Sequence, residues 1–319
     1  MAAGYVARYS RDQELQADGL GAEYLARNQY DPRNMVDVIE VLKNQEQFAA
    51  DQARAQGRDP GSRGGWLASH PSNDQRLSEI KALAAKYRGQ AKYSDDGRAR
   101  YLQVINGMQF GESEAQGMTR GRNFYHRTMG IAFTAPESWS IQNLPDRLVL
   151  LNGPRDAALM LRTVPAQLGT SHDEIIRNLI KPTAGRTERL AVSGMQATHF
   201  TGTRANAQGQ AESIEATIVS GPQDRRYILL WSARDAGAMQ RARAQMRQAR
   251  DSFRPLSSSE SAQVRAWRLR VVPFSSGGFA ELARSSPLDN AERQLRLVNG
   301  YYGGGQPAVG QQVKVVAAQ

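Results

Sequence analysis

The hydrophobic pattern of this chain changes period once, and that change restricts it to folds that keep a helical part and a sheet-rich part separate. Up to about residue 88, apolar residues recur at three- and four-residue steps, as in Met35, Val38, Ile39 and Leu42, and again in Leu77, Ile80, Leu83 and Ala84. That is the period of a helix with one buried face. From Asn123 onward, alternating and continuous apolar runs replace it, which is the pattern of strands. At 319 residues the chain also exceeds the size at which one core usually keeps growing, so two or three domains are expected.

Within the helical part, the sequence predicts a helix over 14–26. A second opens with Asp31 as N-cap and Pro32 at the first helical position, and a third opens with a Ser72/Gln75 capping box and runs to about Tyr87. Residues 57–69, rich in Gly, Ser and Pro, read as a loop. A short helix is expected over 96–105 and a linker over 107–121. Strands are expected at 130–133, 148–152, 158–164, 195–201, 212–219 and 227–231, interrupted by helices at 171–180 and 236–253. This order suggests an α+β sandwich ending near Leu256, followed by a linker at Ser257–Ser259. The last segment reads as strand (267–272), helix (279–285), helix (291–298) and strand (313–316). The fold class is therefore multidomain α and α+β, with domains at 1–88, 123–256 and 262–319 and a helical linker at 89–122.

Composition removes several classes of function. The chain has no cysteine, so disulfides, thiolate metal sites and cysteine nucleophiles are excluded. No run approaches the ~18 apolar residues of a membrane span. Met1 to Tyr5 shows no basic region leading into an apolar stretch, so an export signal would have to lie upstream. The formal charge is +10, but nucleic-acid binding needs clustered basic residues with stacking aromatics or a reader motif. The densest cluster is Arg241, Arg243, Arg247, Arg250 and Arg254, interleaved with an apolar stripe of Ala242, Met246, Ala249 and Phe253. It reads as the solvated face of a helix, or as a surface attracted to anionic cell wall or lipid headgroups, and nucleic acid is not expected as a partner.

One constellation carries chemistry. Glu14 and Asp18 are four residues apart, so both carboxylates project from one helix face. The stretch from Tyr9 through Glu14-Leu15-Gln16-Ala17-Asp18 to Tyr30-Asp31-Pro32 resembles the second metal helix of the HtpX-like zinc metallopeptidases, relatives of the CAAX prenyl proteases. Ser69-His70-Pro71-Ser72-Asn73-Asp74-Gln75-Arg76-Leu77 resembles the histidine–proline motif of the same family. The likeness covers residues 5–88. It implies a helical part of a gluzincin-type peptidase, with Glu14 as third ligand of one zinc ion and Asp18 as the carboxylate that orients a zinc-bound imidazole. It further implies His70 beside the metal, able to fill the water position in a closed state, and Arg76 as the cation facing a substrate carbonyl or oxyanion.

The chain departs from the family in one large respect. It contains no H-E-x-x-H, and its histidines are His70, His126, His172 and His199. His172-Asp173-Glu174 has no second histidine four residues on, and His126 and His199 read as structural. A gluzincin site takes two imidazoles, one carboxylate and a water activated by a glutamate. The expectation is therefore a zinc metalloendopeptidase polypeptide that is inactive as this chain, whether a truncated piece, a shortened gene or one part of a split protein.

Two weaker likenesses follow. Phe124-Tyr125-His126 through Ala135-Pro136-Glu137-Ser138-Trp139 resembles the opening of PsbP-like domains, and the ending at Ser252-Phe253-Arg254-Pro255-Leu256 fits them. Leu295 to Gly300 and Val309 to Val316 resemble a lysin-motif domain, although Ser276-Gly277-Gly278 stands where Gly-Asp-Thr is usual. Together these imply a periplasmic or cell-envelope protein in protein quality control, with misfolded or envelope proteins as substrates and peptidoglycan or outer-membrane assembly proteins as partners. The alternative is a non-catalytic envelope scaffold that works through its C-terminal domains.

Overall fold

The computed structural model describes residues 11–55, 57, 59, 73–87 and 97–318. The amphipathic segments at the start form three helices: α1 (Arg11–Arg27), α2 (Asn34–Ala55) and α3 (Asn73–Lys86). Their apolar faces meet in a small cluster, in which Ala22, Ile39 and Ile80 are buried and Met35, Leu42, Leu77 and Leu83 pack around them. Gly21 permits the close approach of α1 to α2, since a Cβ there would sit 3.1 Å from the Met35 sulfur. Helix α2 begins later than the Asp31-Pro32 signal suggests. The Asp31 carboxylate accepts the Arg33 backbone N–H at 2.9 Å, and Asn34 N–H bonds back to the Asp31 carbonyl at 3.0 Å. Asp31 therefore closes a tight turn ahead of the helix rather than capping the helix itself. The capping pattern at Ser72 lies outside the described residues.

After α3 come α4 (Arg98–Ile105) and a short strand, β1 (Gln109–Phe110). Contacts divide the chain here. Met1–Phe110 and Trp267–Ala318 form one unit, and Gly111–Ala266 forms the other.

The second unit is built on sheets. Its elements are β2 (Met118–Arg120), β3 (Asn123–His126), β4 (Ile131–Thr134), β5 (Ser140–Leu144), β6 (Arg147–Leu151), β7 (Ala157–Val164) and α5 (His172–Ile175), which runs on as a π-helical turn to Ile180. Then follow β8 (Pro182–Val192), β9 (Met195–Ala205), β10 (Ala211–Ser220), β11 (Arg226–Ala233), α6 (Ala236–Ser252), β12 (Arg254–Pro255) and α7 (Ser258–Gln263). Seven strands form an antiparallel sheet in the order β5-β6-β7-β11-β10-β9-β8, and β12-β4-β3-β2 form a smaller one. One face of the large sheet buries Leu150, Leu159, Leu229 and Tyr227 with Met246, Ala249 and Phe253 from the stretch around α6 and with Phe133. The other face buries Phe200, Ala216, Ile218 and Ile228 under Ile175, Ile176 and Ile180.

Two stretches expected to be linkers are structured. Residues 107–121 hold β1 and β2, strands of two and three residues paired through their backbones and too short to show a period. Glu112 braces this stretch by accepting from the Thr119 hydroxyl at 3.0 Å and the Asn143 amide at 3.0 Å. Ser257–Ser259 opens α7 through a capping box between Ser257 and Glu260, a signature present in the sequence as S-x-x-E. Strand β8 was also unexpected, because Thr183 to Arg189 are all exposed and offer no alternation to read.

The chain then returns to the first unit with β13 (Trp267–Pro273), α8 (Gly278–Arg284), α9 (Ala291–Val298) and β14 (Gln312–Ala317). Strands β13 and β14 pair antiparallel, and β1 adds to the free edge of β13. Phe274, Phe279, Leu295, Val313 and Val316 form the core together with Leu102 and Ile105 of α4. Residues 98–110 thus complete the C-terminal module rather than acting as a spacer. Asn299 ties α9 to β14: its amide donates to the Leu295 carbonyl at 2.8 Å and the Lys314 carbonyl at 2.7 Å, and its oxygen accepts the Lys314 N–H at 2.8 Å. In the same unit the Tyr302 hydroxyl donates to Asp51 of α2 at 2.7 Å, with its ring edge-on to Phe48. Among the described residues no helix is long and apolar enough to cross a membrane.

Candidate functional site

On α1 the four-residue spacing stacks Glu14 above Asp18, and Asp18 lies one turn before the buried Ala22. On α3, Arg76 lies one turn before the buried Ile80. Both charged residues are therefore carried on the sides of their helices that face the core, and they meet there. Arg76 Nε donates to Asp18 Oδ2 at 2.8 Å and Nη2 donates to Asp18 Oδ1 at 2.7 Å. This is a two-pronged guanidinium–carboxylate pair, the strong geometry for such groups. Asp18 is 6% exposed and Arg76 7%. The half-buried Glu14 adds its Oε2 at 3.6 Å from Arg76 Nη2. The hydrogen bond from Arg76 to Asp18 raises the pKa of the guanidinium, outweighing the opposite push of burial.

Of the four residues singled out in the sequence, Glu14, Asp18 and Arg76 are thus brought into one cluster. His70 lies outside the described residues. Reading Asp18 and Arg76 as groups with separate tasks missed that they are partners. The available signal was an acid and a base each placed one helical turn from a core residue, since a charge so buried has to be paired.

The remaining histidines belong to the other unit, and their ring nitrogens are engaged there. His126 Nδ1 accepts the Met129 N–H at 3.3 Å, and burial, aided by Arg225, lowers its pKa. His172 sits between the hydroxyls of Thr198 at 2.8 Å and Ser220 at 2.9 Å, and burial lowers its pKa as well. His199 lies between Thr217 at 2.9 Å and Glu215 at 3.1 Å.

The residues present do not fit a resident zinc ion of the gluzincin kind. Such a site takes two imidazoles with a carboxylate. Here Glu14 is the expected donor, a guanidinium stands 3.6 Å from it, and the sequence holds no H-E-x-x-H to bring imidazoles to it. Among the described residues no group of three or more His, Cys, Asp or Glu side chains is placed to hold a metal. What the cluster can do as it stands is lock α1 to α3 and fix the position of Glu14 at its rim.

Comparison with known proteins places this cluster in a family segment. Residues 1–84 match the family model "Peptidase family M48", a family of metallopeptidases. No curated protein matches the chain. Two solved structures are similar over part of it. Cyanobacterial PsbP (CyanoP) from Synechocystis sp. PCC 6803 is 14% identical, covering 46% of this chain and 98% of its own, with a TM-score of 0.31. LpqN, involved in cell envelope biogenesis of Mycobacterium tuberculosis, is 11% identical, covering 50% of this chain and 96% of its own, with a TM-score of 0.30.

Proposed function

We propose that this chain is the distal part of a zinc metalloendopeptidase of the bacterial envelope, engaged in protein quality control, and that it hydrolyses no peptide by itself. The observation that carries this reading is the buried Asp18–Arg76 pair with Glu14 at its edge, lying within the family-matched segment and joining its two motifs. Glu14 is the third metal ligand in this reading, and Asp18 and Arg76 are positioning residues that hold α1 against α3. A zinc ion held by Glu14 and two imidazoles would supply an activated water, and both imidazoles have to come from an H-E-x-x-H helix that the 319 residues do not contain. The strand–helix–helix–strand order and the β13/β14 pairing support the lysin-motif reading of the C-terminal module, and with it the envelope location and peptidoglycan as a partner.

The test is zinc content and casein cleavage, measured on this chain and on the same chain joined to an H-E-x-x-H segment. The first is expected to dialyse free of zinc and to be inactive, and the second to bind one zinc ion. In the joined protein Glu14→Ala is expected to release the metal. Full zinc and full activity in that variant would remove α1 from the metal site, and the family reading of its role would go with it.

A further inference from the structure

The face of the large sheet beneath α6 is apolar over most of its area and polar at one end. The register sets Arg186 of β8 opposite Thr201 of β9, Thr201 opposite Glu215 of β10, and Glu215 opposite Trp231 of β11. Residues directly opposite on neighbouring strands share a face, so these four make one row across the sheet. Two residues along, Glu188, His199 and Thr217 make the next row on the same face. Along α6, Arg243, Arg247 and Arg250 recur at four- and three-residue steps, beside the buried stripe of Ala242, Met246 and Ala249. Sheet and helix together line a cavity of about 230 Å³ that opens to solvent.

Its interior is ordered by one buried carboxylate. Glu215, 6% exposed, accepts from Arg243 Nη1 at 2.8 Å and faces His199 Nε2 at 3.1 Å. Burial pushes the Glu215 carboxyl up, but the hydrogen bond with His199 and the charge of Arg243 outweigh it and hold the pKa below the usual value. Arg250 turns back to Asp251 at 2.7 Å. The other two guanidinium groups lining the cavity, those of Arg186 and Arg247, have no ion pair or hydrogen-bond partner among the described residues. The indole Nε1 of Trp231, whose ring lines the same cavity, is buried without an acceptor among the described residues. Four arginines face two glutamates in the lining, and with Arg250 paired to Asp251 one positive charge is left in excess.

We propose that this cavity binds a phosphoryl group, held between Arg186 on the sheet and Arg247 on α6 and reached from below by the Trp231 N–H. A tetrahedral phosphoryl anion presents oxygens to both walls at once, whereas a single carboxylate is satisfied by one guanidinium fork. The shared chemistry is that of a free phosphate ester and of a phospholipid headgroup. The paired Arg243 and Glu215 keep the floor in place whether or not the anion is bound.

The test is calorimetric titration of inorganic phosphate into the full chain at low ionic strength, with melting curves to show that each variant is folded. Saturable binding is expected. Arg186→Gln and Arg247→Gln should each weaken it roughly ten-fold, as for the loss of one charge-assisted hydrogen bond. Trp231→Phe should weaken it by a smaller factor. Arg241→Gln is the control, since Arg241 lies on the same helix, is paired with Asp156 at 2.9 Å and does not line the cavity. Retained affinity in this variant supports the site. An equal loss in Arg241→Gln reduces the effect to bulk charge and overturns the proposal, as does absence of saturation or stronger binding of succinate than of phosphate. Vesicles of phosphatidylcholine, with and without phosphatidic acid, separate the sources. Capture that depends on phosphatidic acid and is lost in Arg247→Gln assigns the group to a lipid headgroup, and phosphate binding without capture assigns it to a soluble ester.

Discussion

Removing either member of the Asp18–Arg76 pair should open the helical part of the protein, while removing both should not. The pair is 6% and 7% exposed and doubly hydrogen bonded, at 2.8 and 2.7 Å. Asp18→Ala leaves a buried guanidinium without its doubly hydrogen-bonded carboxylate, and breaking a buried pair in this way costs about 3–5 kcal/mol. Against that, the cluster joining α1, α2 and α3 has Ile39 and Ile80 as its large buried side chains, and each contributes roughly 1.5–3 kcal/mol by burial. The loss is of the same size as that sum, so α1 and α3 should separate locally while the rest of the chain stays folded. Arg76→Met should behave the same way, by stranding Asp18. The combined Asp18→Leu, Arg76→Met variant exchanges the pair for apolar packing of similar volume and should lie within ~1 kcal/mol of the parent or above it. Hydrogen exchange read by mass spectrometry over α1 and α3, with α6 as internal reference, measures each opening free energy. Single variants that lose less than ~1 kcal/mol, or a double variant that opens as readily as the singles, would refute the reasoning.

The other expectations are local. The Glu260 carboxyl is held down to about 2 by the hydrogen bonds from Arg254, with Ser257 helping. Its contribution is therefore complete above the ordinary carboxylate pKa and lost as pH falls from there toward 2. With a quarter of the side chain exposed, this amounts to roughly 1 kcal/mol after screening. Urea unfolding across the acid range should show that slope, and Arg254→Gln should flatten it. Gly117 has φ +82°, and a Cβ there would lie 2.3 Å from the ring of the buried Phe124. Gly117→Ala should cost about 2–4 kcal/mol, seen as a lowered melting temperature of the α+β unit. Asn299→Ala removes two hydrogen bonds to Lys314 of β14 and one to Leu295 within α9 and should cost about 2–3 kcal/mol, with raised hydrogen exchange confined to the C-terminal module.

What could be read from the sequence follows burial. The stripe Ala242, Met246, Ala249 and Phe253 was legible because one face of α6 is fully buried, and the central strands β7, β10 and β11 because they carry continuous apolar runs. Elements held mainly by backbone pairing were not legible: β1 and β2 are two and three residues long, and β8 exposes nearly every side chain. The metal-helix motif was legible as residue types at fixed spacing. The pairing of Asp18 with Arg76 was not, because partners 58 residues apart become neighbours only when two helices dock. The basic run on α6 read as a solvated face, whereas most of its arginines have assigned partners: Arg241 with Asp156, Arg243 with Glu215, Arg250 with Asp251 and Arg254 with Glu260. Sequence order alone did not place Asp156 and Glu215, which lie 85 and 28 residues from their partners.

The threading of the chain sets a timetable for folding. Strand β1 pairs with β13, yet all of Gly111–Ala266 is synthesised between them. Closing a loop of that length from an unfolded state carries an entropy cost that grows with the logarithm of its length. The intervening unit removes much of that cost once it has folded, because its own two ends are fastened to each other. Arg120 Nη2 donates to the Arg265 carbonyl at 2.8 Å, and Met118 packs with Val264 and Ala266. Helix α4 and β1 must therefore wait, made early but unable to complete a core until the last strand has left the ribosome. In refolding, protection of α4 should trail that of α6, and a lesion inside the intervening unit such as Gly117→Ala should delay assembly of a module whose residues it never touches.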